Sequence, residues 1–260
     1  MKLLSYEYRG LKRVGVYVGD KIAHLSRLAG VMDRAEADAP SMRALIERWA
    51  ELGPALHALL RDAEKNVAEL APVLMDPVAV VFLPPIPDPP KNVMCLGLNY
   101  KEHAEEGAKA KDFSRAKIEV DYPIFFTKAA ITLIGHEADI PKHSCSDHYD
   151  YEVELTVIIG KKGINIPEGR AYDHVFGYCC GNDISARDLQ RRHKQIYKGK
   201  TLDGSGPMGP YIIPKEDFGD PMNVTVKSWV NGELRQNAST ATMIHSIPKI
   251  ISVLSEGFTL

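Results

Sequence analysis

The run His148-Tyr149-Asp150-Tyr151-Glu152-Val153-Glu154-Leu155-Thr156-Val157-Ile158-Ile159-Gly160 sets the reading of this chain, together with Gly181-Asn182-Asp183-Ile184-Ser185-Ala186-Arg187-Asp188-Leu189-Gln190. The first run is rich in Val and Ile and ends at Gly160-Lys161-Lys162-Gly163, which predicts a strand stopped by a turn. Residues two apart on a strand share a face. Glu152 and Glu154 therefore point one way, and Tyr151, Val153, Leu155 and Val157 the other. Two adjacent carboxylates repel each other unless something positive, solvent counter-ions or a bound cation, lies between them.

Working outward, short β runs surround this stretch. Residues 172 to 180, Pro207 to Pro214, Val224 to Val230 and Glu233 to Gln236 read as strands. Asn231-Gly232 joins the last two as a type I′ hairpin signal. Ile124-Phe125-Phe126 and Ile131 to Ile134 are shorter runs, and Lys91 to Leu98 is a further strand. A helix is predicted from Ser246 to Ser255, ending at Gly257, with one or two helical turns from Ser185 to Gln190.

Near the amino terminus, Arg13 to Val18, a Gly19-Asp20 turn and Lys21 to Leu25 make a hairpin within a small β-meander. Two helices follow. One runs from a Ser41 cap to a Gly53 stop, and the next starts with Pro54 in its first position. Leu83-Pro84-Pro85-Ile86-Pro87-Asp88-Pro89-Pro90 places five prolines in seven residues, too many for helix or central strand. The expected organisation is a small amino-terminal α+β domain over 1–83, a proline-rich linker over 84–90 and a catalytic domain over 91–260. Short strands with few helices argue for an α+β fold on a rolled or sandwiched sheet, without βαβ repeats.

Charge is nearly balanced, 32 basic against 34 acidic residues, with no basic block to suggest nucleic acid or an anionic membrane surface. No uninterrupted apolar run approaches a membrane span, and the first residues lack the pattern of a secretion signal. Cys95, Cys145, Cys179 and Cys180 have no C-x-x-C spacing and read as buried free thiols of a cytoplasmic protein.

Three features are candidates for chemistry. A Glu-x-Glu on a strand is by pattern more often a solvated face than a ligand pair, and an Asp before a short helix is more often its cap. Together, however, Glu152, Glu154 and Asp183 offer three oxygen ligands for a hard divalent cation. His103 and Glu106 share a face of a helical turn predicted over 99–107, as a carboxylate-oriented base or as an exposed ion pair. The charged stretch from Ala108 to Asp121 has the composition of a mobile, lid-like loop. Lys198-Gly199-Lys200-Thr201 is no phosphate loop, because position 194 is Lys and not Gly.

In this order, the phrases Gly97-Leu98-Asn99-Tyr100, Asp150 to Leu155, Phe176-Gly177-Tyr178, Asn182 to Gln190, Gly199 to Gly204, Gly206 to Pro210, Val230 to Gln236 and Met243-Ile244 resemble the fumarylacetoacetate hydrolase family, over residues 92 to 260. The resemblance is to its acylpyruvate hydrolase and 2-hydroxyhepta-2,4-diene-1,7-dioate isomerase-like members. The resemblance implies a mixed β-roll catalytic domain, usually a homodimer. It implies Mg²⁺ or Mn²⁺, with Ca²⁺ a third option, on Glu152, Glu154 and Asp183. It also implies a His103–Glu106 dyad that activates water, and a lysine, Lys200, that supports the transition state. Arg187, Gln190 and Tyr100 would line the substrate pocket. The chain departs from the family at Gly204-Ser205-Gly206-Pro207, a smaller surface beside Lys200. It also ends at Leu260 where members continue, so a carboxy-terminal segment is expected beyond it.

The implied activity is hydrolytic C–C cleavage of acylpyruvate-like β-diketo acids through a pyruvate enolate. Decarboxylation, isomerisation or lyase action on related 2-oxo acids of aromatic catabolism uses the same enolate. A non-catalytic metabolite-binding relative is the alternative of a different class.

Overall fold

The computed structural model describes residues 1–100, 122–193 and 195–260. His103, Glu106, most of the helix predicted over 99–107 and the charged loop after it lie outside the described residues.

Alternating apolar residues at the start of the chain form three antiparallel strands, β1 (Leu3–Tyr8), β2 (Leu11–Val18) and β3 (Lys21–His24). The expected hairpin is present, with Val18 opposite Lys21 across Gly19-Asp20 and Gly19 at φ +62°, a backbone region glycine enters without cost. Helices α1 (Leu25–Val31), α2 (Met42–Glu47) and α3 (Trp49–Lys65) follow. Ser41 caps α2 as expected, its Oγ accepting from the Ala44 amide at 3.1 Å.

The next helix differs from the sequence reading. It starts at Trp49, so that Gly53 and Pro54 lie inside it. Leu52, Leu56, Leu59, Leu60 and Ala63 form one buried stripe on α3, and continuing the helix through Pro54 puts Leu52 in register with the others. That burial outweighs the one backbone hydrogen bond a proline cannot make.

The main sheet carries β1 to β3 and the strands of the second half together. Its order is β10-β11-β13-β1-β2-β3-β4, where β4 is Leu74–Met75, β10 Val153–Ile159, β11 Val175–Asn182 and β13 Gly206–Pro214. Two short strands join this path, β5 (Val81–Phe82) on β1 and β8 (Leu133–Ile134) on β13. The link between the halves is β1 against β13, Leu3 opposite Ile212. One buried cluster holds Leu3, Val16, Leu45 and Leu56 together with Ile158, Phe176, Cys179 and Ile212. The segment 84–90, expected as a linker, therefore runs beside a sheet and a core shared by the residues on both sides of it. Ser5 Oγ donates to the Pro85 carbonyl at 2.7 Å.

Three smaller ribbons flank this sheet: β6 (Val93–Gly97) with β7 (Ile124–Lys128), β9 (Tyr149–Asp150) with β12 (Ser185–Ala186), and β14 (Thr225–Val230) with β15 (Glu233–Ser239). Asn231 and Gly232 turn the last ribbon with φ +52° and +82°, the geometry expected of a type I′ hairpin. Short helices α4 (Val67–Leu70), α5 (Arg187–His193), α6 (Tyr197–Lys200), α7 (Lys215–Phe218) and α8 (Ile247–Leu254) complete the described fold. Ser246 caps α8, and Ile247 and Ile251 bury against Ile166, Ala171, Val175 and Tyr178. The chain is α+β. Among the described residues no helix is long and apolar enough to cross a membrane. All four cysteines are free thiols, but against the expected burial only Cys179 is buried, Cys95 is half-buried, and Cys145 and Cys180 are exposed.

Candidate active site and cation-binding centre

The strand expected from His148 to Gly160 is two strands, and the break between them builds the site. After β9, Tyr151 and Glu152 leave regular pairing, and β10 begins at Val153. Glu152 is held there by its own backbone: its amide donates to Asn182 Oδ1 at 3.0 Å, and its carbonyl accepts from the Asp183 amide at 2.8 Å. These bonds lock the two quoted runs together, so Glu152 and Asp183 meet although they are far apart in sequence.

Lys200 lies between them. Its Nζ is 2.5 Å from Glu152 Oε2 and 2.7 Å from Asp183 Oδ2, and the residue is 3% exposed. The Phe126 ring centroid is 5.2 Å from the same nitrogen. Gly199 makes this approach feasible. A Cβ there would sit 2.8 Å from the Ala186 carbonyl oxygen and 2.8 Å from the Gln190 amide, so α6 packs onto the start of α5 only without one.

Arg187, at the start of α5, grips the other side of Glu152. Its Nη2 is 2.6 Å from Glu152 Oε1 and 2.6 Å from Asp150 Oδ2, while Nε donates to Asp150 Oδ2 at 2.9 Å. Gln190, one turn along, accepts from Arg187 Nη1 at 3.3 Å. Both residues, expected to line a substrate pocket, are brought to the centre, but the guanidinium is engaged with carboxylates. The chain needs no special spacing for this: Asp150 and Glu152 flank Tyr151, and one planar fork spans both.

Buried charge explains the electrostatics. Burial alone would raise the Glu152 carboxyl, but the Lys200 and Arg187 charges and their hydrogen bonds outweigh it and hold the group below the ordinary carboxylate range. Glu154 is opposite in behaviour. Burial first, then the charges of Glu152 and Asp183, push its carboxyl up to about 8, against a smaller opposing pull from Lys200. The expected repulsion between Glu152 and Glu154 is thus expressed at Glu154.

Tyr100 is brought to the same place. Asn99 anchors it: its Nδ2 donates to the His245 carbonyl at 3.2 Å, its Oδ1 accepts from the His245 amide at 2.9 Å, and Tyr100 bridges to Met243. The two phrases Gly97 to Tyr100 and Met243-Ile244 therefore meet in space. The Tyr100 hydroxyl is buried with no hydrogen-bond partner among the described residues, and burial and then the Glu154 charge raise its pKa. Such an orphaned donor is a natural contact for a small polar ligand.

Two participants were not foreseen. Lys128, ending β7, is 3% exposed and donates to Asp183 Oδ1 at 2.8 Å, to the Ile184 carbonyl at 3.2 Å and to the Lys200 carbonyl. Burial lowers its pKa against the raising effect of Asp183. Cys95, on β6, faces the cluster, and burial and the nearby Asp183 charge raise its thiol to about 12. The available signal for Lys128 was a lone lysine closing the apolar run Ile124-Phe125-Phe126-Thr127.

Do these residues suit a divalent cation? Among the described residues, no three His, Cys, Asp or Glu side chains stand in a metal-holding arrangement. The reason is visible in the geometry: the Lys200 ammonium takes the position between Glu152 and Asp183. The donor set is all carboxylate oxygen, which suits a hard cation. Two of its members already converge on one positive atom, and the raised Glu154 marks uncompensated negative charge. The donor chemistry suits a divalent ion, which would have to replace the Lys200 ammonium between Glu152 and Asp183.

The sequence profile of the family described as "Fumarylacetoacetate (FAA) hydrolase C-terminal" matches residues 92–260. The oxaloacetate tautomerase YisK of Bacillus subtilis is 38% identical over 262 residues, spanning 100% of this chain and 85% of that protein. Among solved structures, a fumarylacetoacetate hydrolase from the psychrophile Exiguobacterium antarcticum superposes with a TM-score of 0.78 at 33% identity, covering 100% of this chain and 83% of its own. The maleylpyruvate hydrolase from Sphingobium sp. SYK-6, in complex with manganese (II) ion and pyruvate, gives 0.70 at 26% identity, with 100% and 84% covered. The profile match and the full-length relative show that the chain is an enzyme of the fumarylacetoacetate hydrolase family.

Proposed function

We propose that this enzyme performs divalent-cation-dependent enol chemistry on a small 2-oxo acid, with tautomerisation of an oxaloacetate-like substrate as the leading reaction. The observation that carries the reading is the convergence of Glu152 and Asp183 on one cationic position, 2.5 and 2.7 Å away, beside a Glu154 carboxyl raised to about 8. The leading substrate follows the full-length relative, an oxaloacetate tautomerase at 38% identity.

In this reading Glu152, Glu154 and Asp183 hold Mg²⁺ or Mn²⁺. The bound cation supplies Lewis-acid polarisation of the 2-oxo group and neutralises charge on its oxygen. His103 removes a proton from the carbon beside the 2-oxo group, the electron pair moves onto the oxo oxygen, and a proton returns there to give the enol. Glu106 holds His103 in the accepting tautomer. Lys200, released from between the carboxylates, presents its ammonium to the developing oxyanion, an effect of several kcal/mol in a dry site. Tyr100 and Gln190 position the substrate, and Arg187 holds Glu152 in place while facing the same pocket.

The similarity to maleylpyruvate hydrolase supports a second reading, hydrolytic cleavage of an acylpyruvate with His103 activating water. One experiment separates them. Oxaloacetate and a panel of acylpyruvates are mixed with enzyme and Mg²⁺ or Mn²⁺, and the ultraviolet enol band is followed beside product analysis. A tautomerase equilibrates the enol and releases no fragment, whereas a hydrolase yields pyruvate and a free acid. Silence with every substrate and both metals would sink both readings. The chain is further proposed to act as a homodimer, which light scattering on the purified protein tests.

A further inference from the structure

Lys128 gives the cluster a feature that the three carboxylates alone would lack. Asp183 has two carboxylate oxygens, and the structure assigns them different neighbours: Oδ1 takes the Lys128 ammonium at 2.8 Å and Oδ2 takes the Lys200 ammonium at 2.7 Å. The two lysines differ in how they are held. Lys128 also donates to the Ile184 and Lys200 carbonyls, so its donors are spent on fixed backbone and carboxylate acceptors, and it is 3% exposed. Among the described residues, Lys200 Nζ has only the two side-chain carboxylates and the Phe126 face. Lys128 is therefore a permanent part of the wall, and Lys200 is the exchangeable one.

We propose that Lys128 is a positioning residue that keeps Asp183 a one-oxygen ligand. With Oδ1 committed to Lys128, only Oδ2 faces the cation, and a coordination position stays open for the two oxygens of a chelating 2-oxo acid. The same ammonium ties the Lys200 main chain to Asp183, so ligand and lysine keep a fixed spacing. The inference rests on the cation reading above and deepens it. Partners of this kind behind a ligand set its orientation as firmly as the ligand's own backbone does.

The discriminating point is that removing Lys128 should not weaken the metal. In Lys128→Met, Oδ1 is freed to ligate as well, and a neighbouring positive charge is gone. Mn²⁺, counted as free ion by electron paramagnetic resonance, should bind as tightly as in the unaltered enzyme or about tenfold more tightly, while turnover falls by about 10- to 100-fold. Lys128→Gln can still donate one N–H to Oδ1 and should restore most of that turnover.

Weaker Mn²⁺ binding in step with lost turnover would overturn the proposal, because that is what a merely structural lysine does. Unchanged turnover in Lys128→Met would overturn it as well. If Lys128→Met does not fold, as judged by its melting curve, Lys128→Gln decides: retained turnover with Mn²⁺ affinity at or above that of the unaltered enzyme supports the role, and loss of both overturns it. An unaltered enzyme that binds no Mn²⁺ would instead sink the cation reading, and this inference with it.

Discussion

The ammonium of Lys200 lies 2.5 Å from Oε2 of Glu152, buried between it and Asp183, at the position where two of the proposed cation ligands converge. A lysine expected to act on substrate is held by the proposed ligands themselves. In the proposed reading, metal entry and release of Lys200 are one event.

Replacing Lys200 with Met tests that coupling. Metal-free protein should lose about 3–5 kcal/mol of stability, the usual effect of leaving buried charges without their partner. Added Mg²⁺ should raise the melting temperature of the variant more than that of the unaltered enzyme, because no ammonium competes. Turnover should stay low even when the metal is bound. A variant whose melting responds to Mg²⁺ no more than the parent's would speak against competition.

Glu154 makes cation affinity depend on pH. Its carboxyl is raised to about 8, so at neutral pH it is mostly protonated and must release its proton to ligate. Mn²⁺ affinity should rise by about tenfold per pH unit up to about pH 8 and flatten above it, as displacement of one proton requires. The metal-free protein should show the linked effect. A carboxyl raised in the folded state contributes stability that is fully present below its unfolded value, and this is lost as pH rises through about 8. Isothermal titration in buffers of different ionisation heat would register the released proton; no release at pH 7 would contradict the assignment.

Glu152→Ala should abolish both Mn²⁺ binding and turnover, and chelation with EDTA should silence the unaltered enzyme reversibly. The variant also takes one carboxylate partner from each of Arg187 and Lys200, which keep Asp150 and Asp183, so its melting curve should drop while its circular dichroism keeps the native shape. Activity that survives thorough chelation would remove the cation from the mechanism.

Gly199→Ala probes the packing that delivers Lys200. The added methyl meets backbone atoms of Ala186 and Gln190 at 2.8 Å, and backbone cannot step aside cheaply. A loss of about 1–3 kcal/mol in stability is expected, together with a fall in kcat larger than any change in KM. Parental kcat in this variant would show that the α5–α6 contact does not set the position of Lys200.

The shared sheet has its own consequence. Leu3 on β1 and Ile212 on β13 are both fully buried and are direct partners on neighbouring strands from the two sides of the proline-rich segment in sequence. Calorimetry should show one cooperative transition for the chain, and Leu3→Ala should lower it by about 2–5 kcal/mol. Two separate transitions, only one of them moved by Leu3→Ala, would mean the halves unfold independently.

Much of this was legible along the chain because the deciding forces are local. The Gly19-Asp20 and Asn231-Gly232 turns, the Ser41 and Ser246 caps and the alternating strands all follow from backbone preferences within a few residues. Local rules failed at Gly53-Pro54, where the burial of α3 overrides two residues that usually end or start a helix. They failed again at Tyr151-Glu152, where a continuous β pattern is interrupted because Asn182 and Asp183 capture the Glu152 backbone.

The sequence by itself determined the α+β class and the turns, since backbone preference and short spacing carry that information; it offered Glu152, Glu154 and Asp183 as a candidate oxygen set, and Lys200 entered only through the family resemblance. Only the tertiary structure decided that β1 closes onto β13, that Arg187 clamps Asp150 to Glu152, and that Lys128 joins Asp183. Each of those depends on which distant side chains share a low-dielectric space, where an unpaired charge is costly and a paired one directs the packing. The stretch around Glu152 shows both: its sequence places two glutamates that need a positive neighbour, and the fold supplies the Lys200 ammonium beside Glu152.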